Sequence, residues 1–512
     1  MMRKQVGILI FDIGTTGVKS VLFNETGKVM GTSTQKMKTT YPHVGWAEQD
    51  PYGMWQGVLR GIRQLKDKGI LNTTDIVGIG LSGHMNGMIP VDAQGEPVYN
   101  EIIHSDNRSE QYCSYILDRI SLDNFFAITG NRVDSHFTLP KIIWFKQHLP
   151  NLYKKTKHII QSKDFIRSRL IGMHYGVTDY SDASLTGALN FKKKTWAKDM
   201  LCELGLDVNI FPHVRASHEL AGTVSADAAR MTGLKEGIPV YIGGGDAACS
   251  TRGAGIVAPG KAQLYVGSSA WISVLEGKPL IDSKRRLQNF YDLGGYLCNV
   301  CGTVQSAGVV REWASEVLGF SDKTKIDDVV SLYKFMDQQA KSSGIGARGI
   351  IFLPYLMGER TPYWDQNLQG AFVGLSLIHT RADMIRAIFE GVAYAIHSVL
   401  DVYKENSIFI EDLTLIGGGA ESVFWCHIFC DVLHKPIHLI DSPRMATALG
   451  AAIAAGVGSG LFQNYESGAQ IISLSHSIES NNEAHTQYKI QYEKFLRLYH
   501  PFRDLCYIMK DI

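Results

Sequence analysis

The 512-residue chain has no charge imbalance. Lys+Arg 51 against Asp+Glu 50 leaves a formal +1, so it carries no electrostatic footprint for nucleic acid or an anionic membrane surface. Cysteine is sparse, eight residues in all, which excludes a disulfide framework in a chain of this length. Cys298 and Cys301 make a C-x-x-C with no second pair or histidine at zinc-finger spacing. Cys426 and Cys430 stand four apart on an apolar stretch. All four read as reduced structural thiols. Long apolar runs are missing too. MMRKQVGILIFDIG is broken by Asp12, and GAAIAAGVGSGLF is short and glycine-rich. Neither a signal peptide nor a membrane span is expected, and the reading is a cytoplasmic protein. With 45% hydrophobic and 20% charged residues, disorder and collagen are excluded. At roughly 150 residues per domain, the length allows two to four domains.

Glycine is what the chain has in excess: 51 residues, about 10% where about 7% is usual. Its clusters sit where backbone must turn or come close to something. VGILIFDIGTTGVKSVLFNETGKVM reads as consecutive hairpins turning at Gly14–Gly17 and Asn24–Gly27. Further on, IPVYIGGGDAACSTRGAG precedes KAQLYVGSSAWISVLEGK, two apolar strands about a Gly-Ser-Ser turn. This is a repeat of layout and not of residues. Asp50 followed by Pro51 marks a helix start. Thr380 and Asp383 form a capping box ahead of an apolar stripe from Ile385 to Tyr403. Strands alternating with helices in both halves predict two α/β domains with a ligand crevice between them.

Two glycine clusters imitate familiar phosphate motifs and fail on spacing. Gly14–Gly17 precedes Lys19-Ser20, but no glycine immediately precedes the lysine, which lies inside a strand pattern. Gly78, Gly80 and Gly83 spell G-x-G-x-x-G but fall within a strand, where a dinucleotide loop does not. Taken as a set, four clusters describe one chemistry. Asp12 ends a strand before Gly14-Thr15-Thr16, which offers N–H groups and hydroxyls to phosphate while the carboxylate holds a hydrated Mg²⁺. Gly267-Ser268-Ser269 repeats that cradle. Gly418-Gly419-Ala420 lets a flat adenine approach bare backbone. Gly243–Gly245 delivers the carboxylate of Asp246 into a cleft.

FDIGTTGVKSVLF, GWAEQDP, FTLPKIIWFKQH, GGGDAA, LYVGSSAW, FLPYLMGERTPYWD, GAFVGLSLIHTRADMIRAIFEGVAYA and LTLIGGGAES with ATALGAA run nearly end to end. Through them the chain resembles the FGGY carbohydrate kinases, and within that family it is similar to xylulokinases. Gly370–Gly391 fits the C-terminal signature. The first signature fits around Lys141 and Trp144 but not at His136. The resemblance implies two ribonuclease H-like domains of the actin/hexokinase ATPase type, residues 1–245 and 246–512, with a cleft between. It implies ATP and Mg²⁺, a small sugar acceptor, Asp246 as general base, and Asp12 with Asp246 at the metal. Gly14, Thr15, Thr16, Gly267, Ser268 and Ser269 become the phosphate loops, and Gly418, Gly419 and Ala420 the adenosine loop. His84, Met85, Asn86, His104, Asp106 and Asp246 become the acceptor site, with Asp106 gripping adjacent hydroxyls. Here the chain departs from xylulokinases: Asn86 stands for an imidazole, His104 for an indole, and Ser105 for Asn. The expected acceptor is a pentulose or related polyol, with L-xylulose, ribulose and gluconate as rivals. A homodimer is left open, and no nucleic acid or membrane partner is expected. A phosphohydrolase or a non-catalytic sugar sensor on the same fold are the competing classes.

The remaining conspicuous residues carry blander expectations. Glu359 beside Arg360 reads as an ion pair, and Trp144 as core. Met85 is divided between ligand wall and core. His218, His379 and His397 read as surface or core residues, and Lys154–Lys157 and Lys192–Lys194 as solvated surface.

Overall fold

The computed structural model describes residues 5–172, 174–319 and 329–510. Its first sheet is built from β1 (Gln5–Ile13), β2 (Gly17–Asn24), β3 (Val29–Lys36), β4 (Thr74–Gly83), β5 (Leu220–Thr223), β6 (Pro239–Tyr241) and β7 (Gly244–Gly245). The spatial order is β5-β6-β4-β1-β2-β3, with β7 also paired to β4. β1, β2 and β3 are the expected hairpins, and β4 runs parallel to β1, β6 and β7. The second sheet comprises β8 (Ala262–Val266), β9 (Ala270–Glu276), β10 (Gln288–Tyr291), β11 (Cys298–Val304), β12 (Leu413–Ile416), β13 (Ile437–Ile440) and β14 (Leu474–Ile478). Its order is β10-β11-β9-β8-β12-β13-β14. Antiparallel pairs β8–β9 and β9–β11 are followed by parallel pairs β8–β12 and β12–β13. The two sheets therefore share one plan, hairpins first and parallel strands after, which is the repeat of layout seen in the sequence.

Helices cover these sheets as local sequence dictates. The Asp50 carboxylate accepts from the Tyr52 N–H, and Pro51 opens α1 (Pro51–Asp67), whose Met54, Trp55, Val58, Ile62 and Leu65 are buried. They join Leu9, Phe11 and Leu22 in the first core. Asp246 opens α2 (Asp246–Gly253) directly from β7. The Thr380–Asp383 capping box opens α3 (Arg381–Glu405), which fills the second core with Ile388, Val392, Val399 and Tyr403. The Tyr403 hydroxyl takes the Gly302 N–H and reaches the Ile272 and Val300 carbonyls, fixing α3 to β9 and β11.

The halves meet through α2 and α4 (Ala446–Gly458). A Cβ on Gly253 would lie 1.7 Å from the Ala446 carbonyl oxygen, and one on Gly450 would lie 1.8 Å from that of Cys249. The two backbones therefore touch. The alanines of α4 pack on Ile8, Ile10, Val21 and Phe23 of the first sheet, and a Cβ on Gly80 would meet the Ala451 carbonyl oxygen at 2.8 Å. That contact is what places a glycine within β4. Among the described residues, no helix is long and apolar enough to cross a membrane. Cys298, Cys301, Cys426 and Cys430 are buried free thiols, as expected.

Candidate active site

Parallel pairing gathers the first-half residues at one edge. Asp12 of β1 is opposite Ser82 of β4, which is opposite Gly244 of β7. Asp12 and Asp246 thus emerge at the carboxyl ends of two strands that both run parallel to β4, where α/β sheets bind ligands. Gly14–Gly17 closes the β1–β2 turn through a Gly14 N–H to Gly17 carbonyl bond of 3.0 Å. Thr15 is half-buried, and Thr16 at its tip is exposed. Lys19 stands 3.6 Å from Asp12. Burial first, and then the Asp12 charge, raise the pKa of Asp246 to about 6.

The second half presents its loops from an equivalent edge. β8 and β12 are parallel neighbours, so Gly267-Ser268-Ser269 and Gly417–Ala420 leave the sheet side by side. Gly417 has φ +87°, and a Cβ there would sit 2.5 Å from the Val266 carbonyl oxygen, so this position requires glycine. At Gly418 an added Cβ meets nothing nearer than Arg444 at 3.7 Å. Ser268 is exposed, Gly267 and Ser269 are half-buried, and the Ala307 and Gly308 N–H groups brace the loop through the Ser268 and Gly267 carbonyls. Tyr265 of β8 lies within the field of the first-half carboxylates. Burial and the charges of Asp246 and Asp12, across the cleft, push its phenol up to about 12.

On the acceptor side, His84 is enclosed and doubly engaged. Nδ1 lies 3.0 Å from the Ile13 carbonyl, and Nε2 lies 2.9 Å from Glu101. Burial opposes its charge, but the Glu101 carboxylate outweighs burial, with Asp246 adding to it, and the pKa rises to about 9. Asn86 has φ +66°, uncommon for a residue with a side chain. Its carbonyl is held by Lys141 Nζ at 2.8 Å, while its own Oδ1 is buried without a partner. Burial lowers Lys141 to about 7 despite Asp106, Asp134 and Glu101 nearby. His104 is half-buried. Burial, reinforced by His84, His136, Arg360 and Lys141, drives its pKa far down, so the ring is neutral. Met85 packs against the Gly245 backbone, where a Cβ would meet its sulfur at 2.7 Å, so it is a wall beside Asp246.

Residues 7–253 match the FGGY family of carbohydrate kinases, N-terminal domain, and residues 262–459 match that family's C-terminal domain. The chain belongs to the FGGY family of carbohydrate kinases. A xylulose kinase of Bacillus subtilis is 30% identical over 511 residues, covering 100% of this chain and 99% of the relative. A gluconokinase of Bacillus licheniformis is 27% identical and covers 96% of this chain and 95% of the relative. The crystal structure of a xyloylose kinase from Brucella ovis superposes with a TM-score of 0.87 at 28% identity, covering 97% of this chain and 99% of that one. The fold is thus the actin/hexokinase-type ATPase fold of FGGY kinases, with two sheet-containing domains.

Two expectations need correction in this FGGY kinase. Asp106 is fully buried: one oxygen accepts from the Arg108 N–H and Nε, the other from the Ala47 N–H and Arg108 Nη2. Its lone pairs fix Arg108 beneath Trp46 and Trp144 and are not turned toward a sugar. Glu359 and Arg360 are not an ion pair. The Glu359 carboxylate accepts the backbone N–H groups of Gln305 and Arg360, and burial raises it to about 8. Trp144 is core, as expected. Several contributors had no motif to announce them. Glu101 is the counter-ion of His84. A buried network, Lys163 with Asp164, Asp179 and Asp182, carries Ser181, whose Oγ accepts the Gly245 N–H at 2.9 Å just before Asp246. Its members are scattered along the chain, so no local spacing reveals them.

Proposed function

We propose that this kinase transfers the γ-phosphoryl group of ATP to a hydroxyl of a small sugar, a pentulose, with D-xylulose the first candidate. The observation that carries the reading is Asp246. A carboxylate with a pKa of about 6 opens a helix at the strand ends, beside a second carboxylate and across the cleft from a hydroxyl-bearing loop. An acid of that strength is ionised at neutral pH and still basic enough to take a proton. In this reading Asp246 accepts the acceptor's hydroxyl proton as its oxygen attacks the γ-phosphorus in line. The imidazolium of His84 keeps the carboxylate charged until then. Thr15, Thr16, Ser268 and Ser269 receive phosphate oxygens from the two halves, and Gly418, Gly419 and Ala420 receive the adenosine. Phosphoryl transfer asks mainly for alignment and charge neutralisation, and these groups supply both.

The residues present fit Mg²⁺. Asp12 and Asp246 are oxygen donors whose mutual repulsion a dication relieves. No group of three His, Cys, Asp or Glu side chains able to hold a metal gathers among the described residues, and Mg²⁺ commonly takes one or two carboxylates plus substrate phosphates and water. When bound, the ion neutralises charge on the β- and γ-phosphates. With α2 counted with the first half, whose family match ends at residue 253, the β1–β2 loop and the β8–β9 loop stand on opposite lips, so closure completes the site and excludes water.

A coupled ADP-release assay over D-xylulose, L-xylulose, ribulose, polyols and gluconate tests the proposal, with Asp246→Asn as control. Sugar-dependent ADP release is expected, with turnover reduced about 10²–10⁴-fold in the variant. Release independent of any sugar, or a variant with near-normal turnover, overturns it.

A further inference from the structure

The turn that delivers Asp246 is held from two sides. On one side it is pressed onto β4: Gly243 has φ +78°, and a Cβ there would lie 2.4 Å from the Leu81 carbonyl oxygen. On the other it meets a charged cluster with no exposed side-chain surface. Lys163, Asp164 and Arg167 come from the helix Ser162–Leu170, Asp179 ends the strand Val177–Asp179, and Asp182 lies on the short helix Tyr180–Ser184. Lys163 Nζ stands 2.8 Å from Asp164, 3.0 Å from Asp179 and 2.8 Å from Asp182. Burial, aided by the neighbouring carboxylates, outweighs that ammonium and pushes Asp182 up to about 8, so Lys163 and Arg167 balance the charges of Asp164 and Asp179. A buried ion cluster is weak support for stability, because desolvation offsets much of its attraction. Its contacts here run to the turn. Arg167 Nη1 donates to the Ile242 carbonyl at 3.3 Å. The Gly243 N–H donates to the Ser217 carbonyl at 2.9 Å, and Ser217 Oγ donates to Asp179 Oδ2 at 3.1 Å. The Gly245 N–H donates to Ser181 Oγ at 2.9 Å, and that hydroxyl gives its own proton to Asp179 Oδ2.

We propose that Ser181 is a positioning residue for Asp246, and that Asp179 and Lys163 lock it in place. Because Asp179 receives the Ser181 proton, the hydroxyl's lone pairs are left for the Gly245 N–H. Gly245 is the residue from which α2 starts, and Asp246 is the first residue of that helix. A hydroxyl that pins the Gly245 N–H therefore pins the backbone immediately ahead of the Asp246 side chain. Lys163 and the Ser181 N–H, at 2.8 Å from Asp179 Oδ2, keep the Asp179 carboxylate from turning away. Phosphoryl transfer depends on alignment, and reacting groups tolerate about 0.5 Å of error, so a base anchored to the interior holds its aim. Ser181 acts through Gly245 and performs no chemical step itself. This inference rests on the kinase reading above, in which Asp246 takes the acceptor's proton.

The test compares Ser181→Ala with Thr186→Val in the full-length enzyme, using the acceptor with the highest kcat/KM. Thr186 is also buried and lies just beyond the same short helix. Its hydroxyl likewise takes one backbone N–H, that of Ala188 at 3.1 Å, and gives one proton, to the Ala183 carbonyl at 2.7 Å. A merely structural loss is therefore shared by the two variants. Ser181→Ala should lower kcat by about 10- to 100-fold, the cost of misplacing a catalytic group by up to about 1 Å. Both KM values should stay within about twofold of wild type, as for an interaction felt in the transition state alone. Thr186→Val should keep the wild-type kcat. In an Asp246→Asn background, where the base is already lost, adding Ser181→Ala should cost nothing further. A normal kcat in Ser181→Ala, an equal fall in Thr186→Val, a raised KM in place of a lowered kcat, or additive losses in the double variant overturns the positioning role and leaves the kinase reading standing. Near-normal turnover in Asp246→Asn, or no sugar-dependent ADP release with any acceptor, overturns both.

Discussion

In the proposed reaction Asp246 must be ionised to take a proton, and in the ligand-free protein its pKa of about 6 is set by burial and by the neighbouring Asp12 charge. The pH dependence of kcat/KM reports free-enzyme ionisation, so the rate should rise with pH along a limb centred near 6. About nine-tenths of the base is available at pH 7 and about one-tenth at pH 5; an ordinary aspartate at 3.8 would still be mostly ionised there. Asp12→Asn removes the like charge. An anion penalises a second anion beside it, so the limb should move to lower pH, by about one unit, equivalent to about 1.4 kcal/mol. The variant's lower absolute rate does not obscure a limb position. The assay is initial-rate ADP release from pH 4.5 to 8 with both substrates well below saturation, so that the metal-free protein is the resting form. A wild-type limb below pH 5, or an identical limb in Asp12→Asn, refutes the reasoning.

Glu101→Gln should destabilise the fold by stranding the His84 cation, a loss of the 3–5 kcal/mol class at neutral pH and below. Because the folded pKa of His84 is raised from 6.5 to about 9, the wild-type advantage is complete below 6.5 and fades as pH rises through 9. Denaturation midpoints at pH 6 and 9.5 check this, and an advantage that does not narrow contradicts a charged His84. Gly450→Ala drives a methyl against the Cys249 carbonyl at 1.8 Å. It should lower Tm by several degrees and depress kcat more than the ATP KM, whereas Gly176→Ala, facing open space, should leave both unchanged.

The hairpins, the helix starts at Asp50 and Thr380, and the interior-strand setting of Gly78–Gly83 were legible because each depends on neighbours within a few residues. The pairing of the two sheets' plans was legible as layout for the same reason. Asp106 misled because a carboxylate before an arginine carries no local sign of whether it faces a ligand or that arginine, and here the guanidinium claims both oxygens. Glu359 and Arg360 misled in the opposite sense, since adjacency in sequence brings the carboxylate to a backbone N–H and not to the guanidinium. Glu101 and Ser181 matter through contacts that only the fold creates.

In the closure proposed above, the touching glycines of α2 and α4 would be the fulcrum. Asp246 stands seven residues from Gly253, about 10 Å along the helix at 1.5 Å per residue. A turn of about 10° about that contact displaces the carboxylate by about 2 Å relative to the second half, a distance fixed by the helical rise. Groups at twice the radius travel twice as far. The proposed reacting centre would thus ride on the short arm of a lever, and closure at the cleft mouth would be geared down to small adjustments where the phosphoryl group would cross.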